Sequence, residues 1–155
     1  MTRQRLRYTR GMFSYSYPRP ALTADVVAVR PGTEAIEVLL IRRGHDPFAG
    51  MWALPGGFVE EWESPEGAAR REFVEETGAA WRGELRLVGV FGKRGRDPRG
   101  WTVACAYLAQ MDEQDVELEL APADDASEAA WFPVTALPPM AFDHQGIIAA
   151  ALDLV

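Results

Sequence analysis

The sequence predicts an α/β domain in which a mixed β-sheet is covered on both faces by helices. Three observations carry this. Two apolar runs, residues 24–29 (ADVVAV) and 36–41 (IEVLLI), flank Pro31-Gly32-Thr33 and have the composition of strands joined by a hairpin turn. A segment from Ser64 to Gly78 carries helix start and stop signals, and the last twelve residues form a second helical pattern. Further strand-like runs lie between the two helices, so strands and helices interleave. With 155 residues the chain has the size of one domain and enough length to bury a core without disulfide or metal staples.

Residues 1–20 are expected to be a surface arm or edge strand, and residues 21–155 the single globular domain. The arm carries Arg3, Arg5, Arg7, Arg10 and Arg19 with no acid, so in a chain of net charge −7 the remainder carries −12. It also holds Tyr8, Phe13, Tyr15 and Tyr17. An overall charge of −7 argues against a general nucleic-acid binder, which needs a basic surface. The arm has no apolar core of signal-peptide length, and no later run is long enough to span a membrane. With a single cysteine, these features predict a cytoplasmic protein without a membrane partner.

Ser64 can cap the first free backbone N–H groups of the helix, Pro65 suits its first turn, and Glu66 complements the positive dipole end. Gly78 supplies the left-handed residue that stops it. On this helix Glu72 and Glu76 are i,i+4 neighbours with Glu75 beside them, while Ala69, Phe73 and Thr77 face elsewhere. Carboxylates so placed repel one another. They form either a solvated acidic face or a site for divalent cations, because Mg²⁺ is held by a few carboxylates together with substrate phosphates. Pro55-Gly56-Gly57, just before the helix, reads as a tight turn or as backbone that passes close to a ligand.

After the helix, strands are expected at residues 85–91 and 101–109. The acidic stretch 111–128 is expected to be a loop with a short strand at 116–120, followed by a brief strand at Trp131-Phe132 before Pro133. In the terminal helix Asp143 is the expected cap, Phe142 and Ile147 have the spacing of a hydrophobic staple, and Ile147, Ile148, Ala151 and Leu152 form the apolar face. Cys105 reads as a buried strand thiol, and with only His45 and His144 a structural zinc site is not expected. Between the two middle strands, residues 92–99 (GKRGRDPR) form a basic surface loop. Arg94, Arg96 and Arg99 could grip phosphate, as could Arg43 after the second strand; a charge-rich hairpin tip is the plainer reading. Trp52 and Trp101 lie in apolar runs and read first as core residues.

Residues 57–79, GFVEEWESPEGAARREFVEETGA, resemble the Nudix box G-x5-E-x7-R-E-U-x-E-E-x-G-U, where U is bulky and apolar. The matching positions are Gly57, Glu63, Arg71, Glu72, Phe73, Glu75, Glu76 and Gly78, with Ala79 small for the last slot. The resemblance implies the α/β/α sandwich of Nudix hydrolases. It also implies a divalent cation, Mg²⁺ with Mn²⁺ as a substitute, held by Glu72, Glu75, Glu76 and the carbonyl of Gly56. Glu63 and Arg71 are implied to meet and to hold the loop onto the helix. The implied reaction is hydrolysis of a nucleoside diphosphate linked to a further group, with the proton acceptor drawn from the box or from an acidic loop containing Asp124, Asp125 and Glu128.

Outside the box, residues 17–23, 40–43, 47–48, 52–58, 95–103 and 137–144 resemble bacterial ADP-ribose pyrophosphatases, whose sequence group is not uniform in substrate. This implies cleavage of ADP-ribose to AMP and ribose 5-phosphate, with the basic loop as a site for the phosphates or the terminal ribose and an aromatic stack for adenine supplied by Phe48, Trp52, Tyr17 or Trp101. The alternatives are cleavage of nucleoside triphosphates or dinucleotides and, in another class, a non-catalytic ADP-ribose-sensing module. In the sensing regulators of this group a DNA-reading domain follows the Nudix-like one; the chain ends at Val155, so turnover is the expectation. Family analogy implies a homodimer.

Overall fold

A computed structural model describes residues 15–112, 115, 119–123 and 126–155. The central strand β1 (Ala21–Pro31) runs parallel to β6 (Thr102–Gln110) along one edge. Along its other edge it is shared. Residues 29–31 pair antiparallel with β2 (Ile36–Arg43), and residues 23–25 pair antiparallel with β4 (Gly56–Phe58). Strand β5 (Leu85–Phe91) flanks β6, while β3 (Trp52–Ala53) and β7 (Ala126–Pro133) flank β2, which completes a seven-stranded mixed sheet.

Side chains alternate across β1, so each face of the sheet has its own core. Ala24, Val26 and Ala28 pack with Leu39 beneath α1 (Pro65–Thr77), which lowers Ala68, Ala69 and Phe73 onto them. Val27 and Val29 pack with Val38, Leu40, Ala106 and Leu108 beneath Ile147, Ile148 and Ala151 of α2 (His144–Leu152). One helix on each face makes the α/β/α sandwich that the sequence predicts.

Helix α1 follows its local signals. The Ser64 hydroxyl accepts from Gly67 N–H, Pro65 opens the helix, and Gly78 ends it at φ 72°. Helix α2 does not follow its own. The Asp143 side chain makes no capping bond, because Arg96 takes both of its oxygens. The expected staple is also absent: Phe142 (φ 53°) packs edge-on against Phe48, whereas Ile147 belongs to the α2 core.

Two strands are new relative to the sequence reading, β3 and β4, and β7 is longer than the expected pair Trp131-Phe132 because it pairs along most of β2. Glu128 therefore lies on β7 opposite Arg42 and not in a loop. Trp52 packs against Phe132 in the core, but Trp101 is 57% exposed, contrary to a core role. Cys105 is half-buried on β6. Asp124, Asp125, residues 1–14 of the arm and most of the expected strand at 116–120 lie outside the described residues. Among the described residues no helix is long and apolar enough to cross a membrane.

Candidate metal centre and active site

The shared edge of β1 builds the site. Where β2 leaves off, the chain returns as β4, and Val26 N–H donates to Pro55 O at 2.8 Å, so Gly56 and Gly57 lie flat in the sheet beside Asp25 and Ala24. The N-terminal loop of α1 then carries the box glutamates back over this backbone.

Arg71 is the hub. Its Nε and Nη2 donate to the two oxygens of Glu63 at 2.8 and 2.9 Å, and Nη1 donates to Glu72 Oε1 at 2.7 Å and reaches Glu75 Oε2 at 3.4 Å. Nη2 also donates to Phe58 O at 3.1 Å. This bidentate fork ties the loop, β4 and helix into one unit. The Arg71 hydrogen bonds hold the Glu63 carboxyl below the usual range, and Glu63 in turn keeps Arg71 firmly charged. Glu63 also accepts from Glu60 N–H, which closes the loop on itself.

The glycines carry the carboxylates. Gly56 N–H donates to Glu76 Oε2 at 2.9 Å, and Glu76 is buried. A Cβ on Gly57 would lie 2.5 Å from the Glu72 carboxylate, so only glycine leaves room for that side chain. Glu75 is the most exposed of the three. Among the described residues no three acidic, imidazole or thiol side chains gather into a closed cage. Carboxylate and peptide oxygens are hard donors, of the kind that a hard divalent cation takes beside waters and substrate phosphates. The crowding of Glu72 and Glu76 against the Gly56-Gly57 backbone is the observation that the donor set suits a hard cation.

The candidate arginines divide. Arg96 turns inward, its side chain 5% exposed, and grips Asp143 with both nitrogens at 2.9 and 2.6 Å. Burial opposes its charge, but the Asp143 carboxylate more than offsets this and raises its pKa. Arg99 pairs with the buried Asp97 and lies between the rings of Phe58 and Phe142, 4.8 and 5.4 Å from their centroids. Arg43 donates to Pro47 O at 2.7 Å and stacks over Phe142 from 5.0 Å. Arg94 is exposed. Thus the loop at 92–100 docks on β4 and the start of α2 through Arg96 and Arg99, with Phe58 and Phe142 beside it.

Two polar residues on this side were not singled out from the sequence as site residues. Asp25, on β1, is buried, and burial followed by the Asp143 and Glu72 charges pushes its pKa up to about 7 against the pull of Arg96 and Arg99. His144 receives Leu54 N–H on Nδ1 at 3.0 Å, which leaves its proton on Nε2, 4.0 Å from Asp25 Oδ1. Burial drives the His144 pKa down to about 3, so the ring is neutral. An acid alone within the apolar run ADVVAV was the available signal for Asp25, since charges enter buried strands only at a cost.

A family model described as NUDIX domain matches residues 19–151. The chain is 39% identical over 132 residues to an ADP-ribose pyrophosphatase of Methanocaldococcus jannaschii, covering 85% of this chain and 73% of that one. It is 31% identical over 137 residues to the ADPR responsive transcriptional repressor NtrR of Acinetobacter baylyi, covering 87% of this chain but 54% of the repressor. Among solved structures, the NUDIX domain of Shewanella oneidensis NrtR complexed with ADP ribose superposes with a TM-score of 0.77 at 32% identity, covering 89% of this chain and 90% of that one.

Proposed function

The chain belongs to the Nudix family of pyrophosphohydrolases, and from that premise we propose that it hydrolyses ADP-ribose to AMP and ribose 5-phosphate with Mg²⁺. The observation that carries this reading is the assembly of Glu72, Glu75 and Glu76 around Arg71 and the Gly56-Gly57 backbone. Glu72, Glu76 and the Gly56 carbonyl would hold the cation, with Glu75 at its open side. A bound Mg²⁺ supplies charge that screens the phosphate oxygens, polarises phosphorus and lowers the pKa of a water.

The chain's own groups do the remainder. Arg71 and Glu63 keep the carboxylates aligned, and Glu75, partly exposed and held only at 3.4 Å, takes the proton from the attacking water. Water adds across the P–O–P bridge, its oxygen to one phosphorus and its proton, by way of the base, to the departing phosphate. Arg94 and Arg99 line the approach to the phosphates or the terminal ribose, and the Phe58–Arg99–Phe142 stack borders the base.

Identity to a repressor that answers to ADPR favours a second reading, a sensing module for the same ligand, and it leaves nucleic-acid contact open despite the charge of −7. Cytoplasmic location, a homodimer and an arm formed by residues 1–20 complete the proposal. The purified chain should be given Mg²⁺ and a panel of ADP-ribose, nucleoside triphosphates and dinucleotides, with AMP and inorganic phosphate scored separately. AMP from ADP-ribose alone supports the reading. Tight ADP-ribose binding without product replaces it with the sensor.

A further inference from the structure

Asp25 has no part in the hub around Arg71, yet it touches the same backbone. Its Oδ2 is a buried side-chain oxygen without a hydrogen-bond partner, which in a folded protein asks for a reason. Its Oδ1 lies 2.3 Å from where a Cβ of residue 56 would be, so the carboxylate packs directly on the Gly56 α-carbon. On the opposite face of β4, the Glu72 carboxylate occupies the matching space at Gly57. The two-glycine backbone is therefore gripped from both faces of the sheet, while Glu76 takes Gly56 N–H and Val26 N–H takes Pro55 O. His144 closes behind Asp25 and fixes Leu54 N–H, two residues upstream of Gly56. Arg96 pairs with Asp143 and Arg99 with Asp97, so neither neighbouring guanidinium is given over to Asp25. An apolar side chain would fill this space without an unsatisfied oxygen; burial pushes the Asp25 pKa up to about 7, and above that pH the carboxylate differs from an apolar group by the negative potential it lays under Gly56.

We propose that Asp25 is a positioning residue for the divalent cation: wedged between Gly56 and His144, it presses the Gly56 peptide against Glu76 and adds negative potential where the Gly56 carbonyl and Glu76 meet the ion. The inference rests on the hydrolase reading above. It assigns Asp25 no contact with the ion or the substrate, only control over the backbone that supplies one ligand. Glycine at 56 is then required from both directions, by the approach of Asp25 Oδ1 and by the Ala24 carbonyl 2.5 Å from the same point.

The test is Mn²⁺ affinity of the full chain at about pH 8, where Asp25 is ionised, by electron paramagnetic resonance, for wild type, Asp25→Asn and Asp25→Ser, with nativeness checked by circular dichroism. Loss of an outer support of this kind weakens metal affinity by about 10-fold. That loss is expected for both variants in the folded state, with kcat falling at limiting Mn²⁺ and KM for the nucleotide little changed at saturating Mn²⁺. A role confined to packing would lower stability and leave Mn²⁺ affinity alone, and Asn with wild-type affinity overturns the proposal. Wild type that binds no Mn²⁺ overturns the hydrolase reading as well, so the two failures are distinct. Should both variants fail to fold, ¹³C-carboxyl spectra of the wild type decide: the Asp25 resonance should move with Mg²⁺ in step with Glu76, and a stationary Asp25 resonance refutes its role.

Discussion

Glu76 illustrates how one side chain serves the fold and the proposed chemistry at once. It accepts Gly56 N–H from a buried position, and a glutamine can keep that bond through its amide oxygen while losing the charge. Glu76→Gln is therefore expected to keep its melting temperature and to lose about two orders of magnitude in kcat, the scale of removing one preorganised electrostatic contact. Asp25 and His144 make stability respond to pH in opposite senses. The folded Asp25 keeps its proton up to about 7, whereas the unfolded carboxyl releases it near 3.8, so the folded state binds more protons and stability falls as pH rises through that window. Neutral His144 works the other way: its contribution is complete above 6.5 and is lost as pH falls toward about 3. Asp25→Asn should gain in melting temperature relative to wild type at about pH 8 compared with about pH 4. A gap between the two proteins that does not change with pH would contradict the buried-acid account.

Helix α1 was legible in full because its determinants are local: Ser64, Pro65 and Gly78 sit at its own ends, and the box repeats along its own turns. Ser64→Ala removes the bond to Gly67 N–H and should cost about 1 kcal/mol in a urea melt. Gly57→Ala drives a Cβ against the Glu72 carboxylate, so activity should vanish while the helical signal persists; an active alanine variant would contradict the cradle. Elsewhere the determinants are distant. Strand β7 contains Ala129 and Ala130, poor strand formers, and exists because β2 pairs with it; β4 hides behind Pro55-Gly56-Gly57, which reads as a turn. Asp143 looked like a cap because a sequence does not display Arg96, 47 residues away, competing for the same carboxylate.

Across the whole molecule, the class of fold was legible because strands and helices alternate and each sheet face finds the apolar stripe of a helix. The box carboxylates were legible with it. The surroundings of Gly56 were not, since Leu54 meets His144 across 90 residues and nothing in a one-dimensional pattern joins them. The same long-range closure changes what Arg96 does. With its side chain buried against Asp143, it locks the loop at 92–100 to α2, so Arg96→Ala should lower stability by about 2 kcal/mol, below the range for fully buried pairs because Asp143 is partly exposed. Urea unfolding checks this; a normal midpoint with raised KM would return Arg96 to the phosphates. Removing Phe73 or Ile147, one from each core, should each cost about 2–5 kcal/mol, with no preference between the two faces.

The central claim is that box carboxylates gathered on Gly56-Gly57 make a phosphoanhydride cleavable through a divalent cation. Its most direct measurement is the rate of AMP release from ADP-ribose by wild type and Glu76→Gln, each with Mg²⁺ and with chelator. Release by wild type with Mg²⁺, none with chelator and about 100-fold less from the glutamine variant is the predicted result. Equal rates from both proteins, or a rate indifferent to chelation, would contradict it.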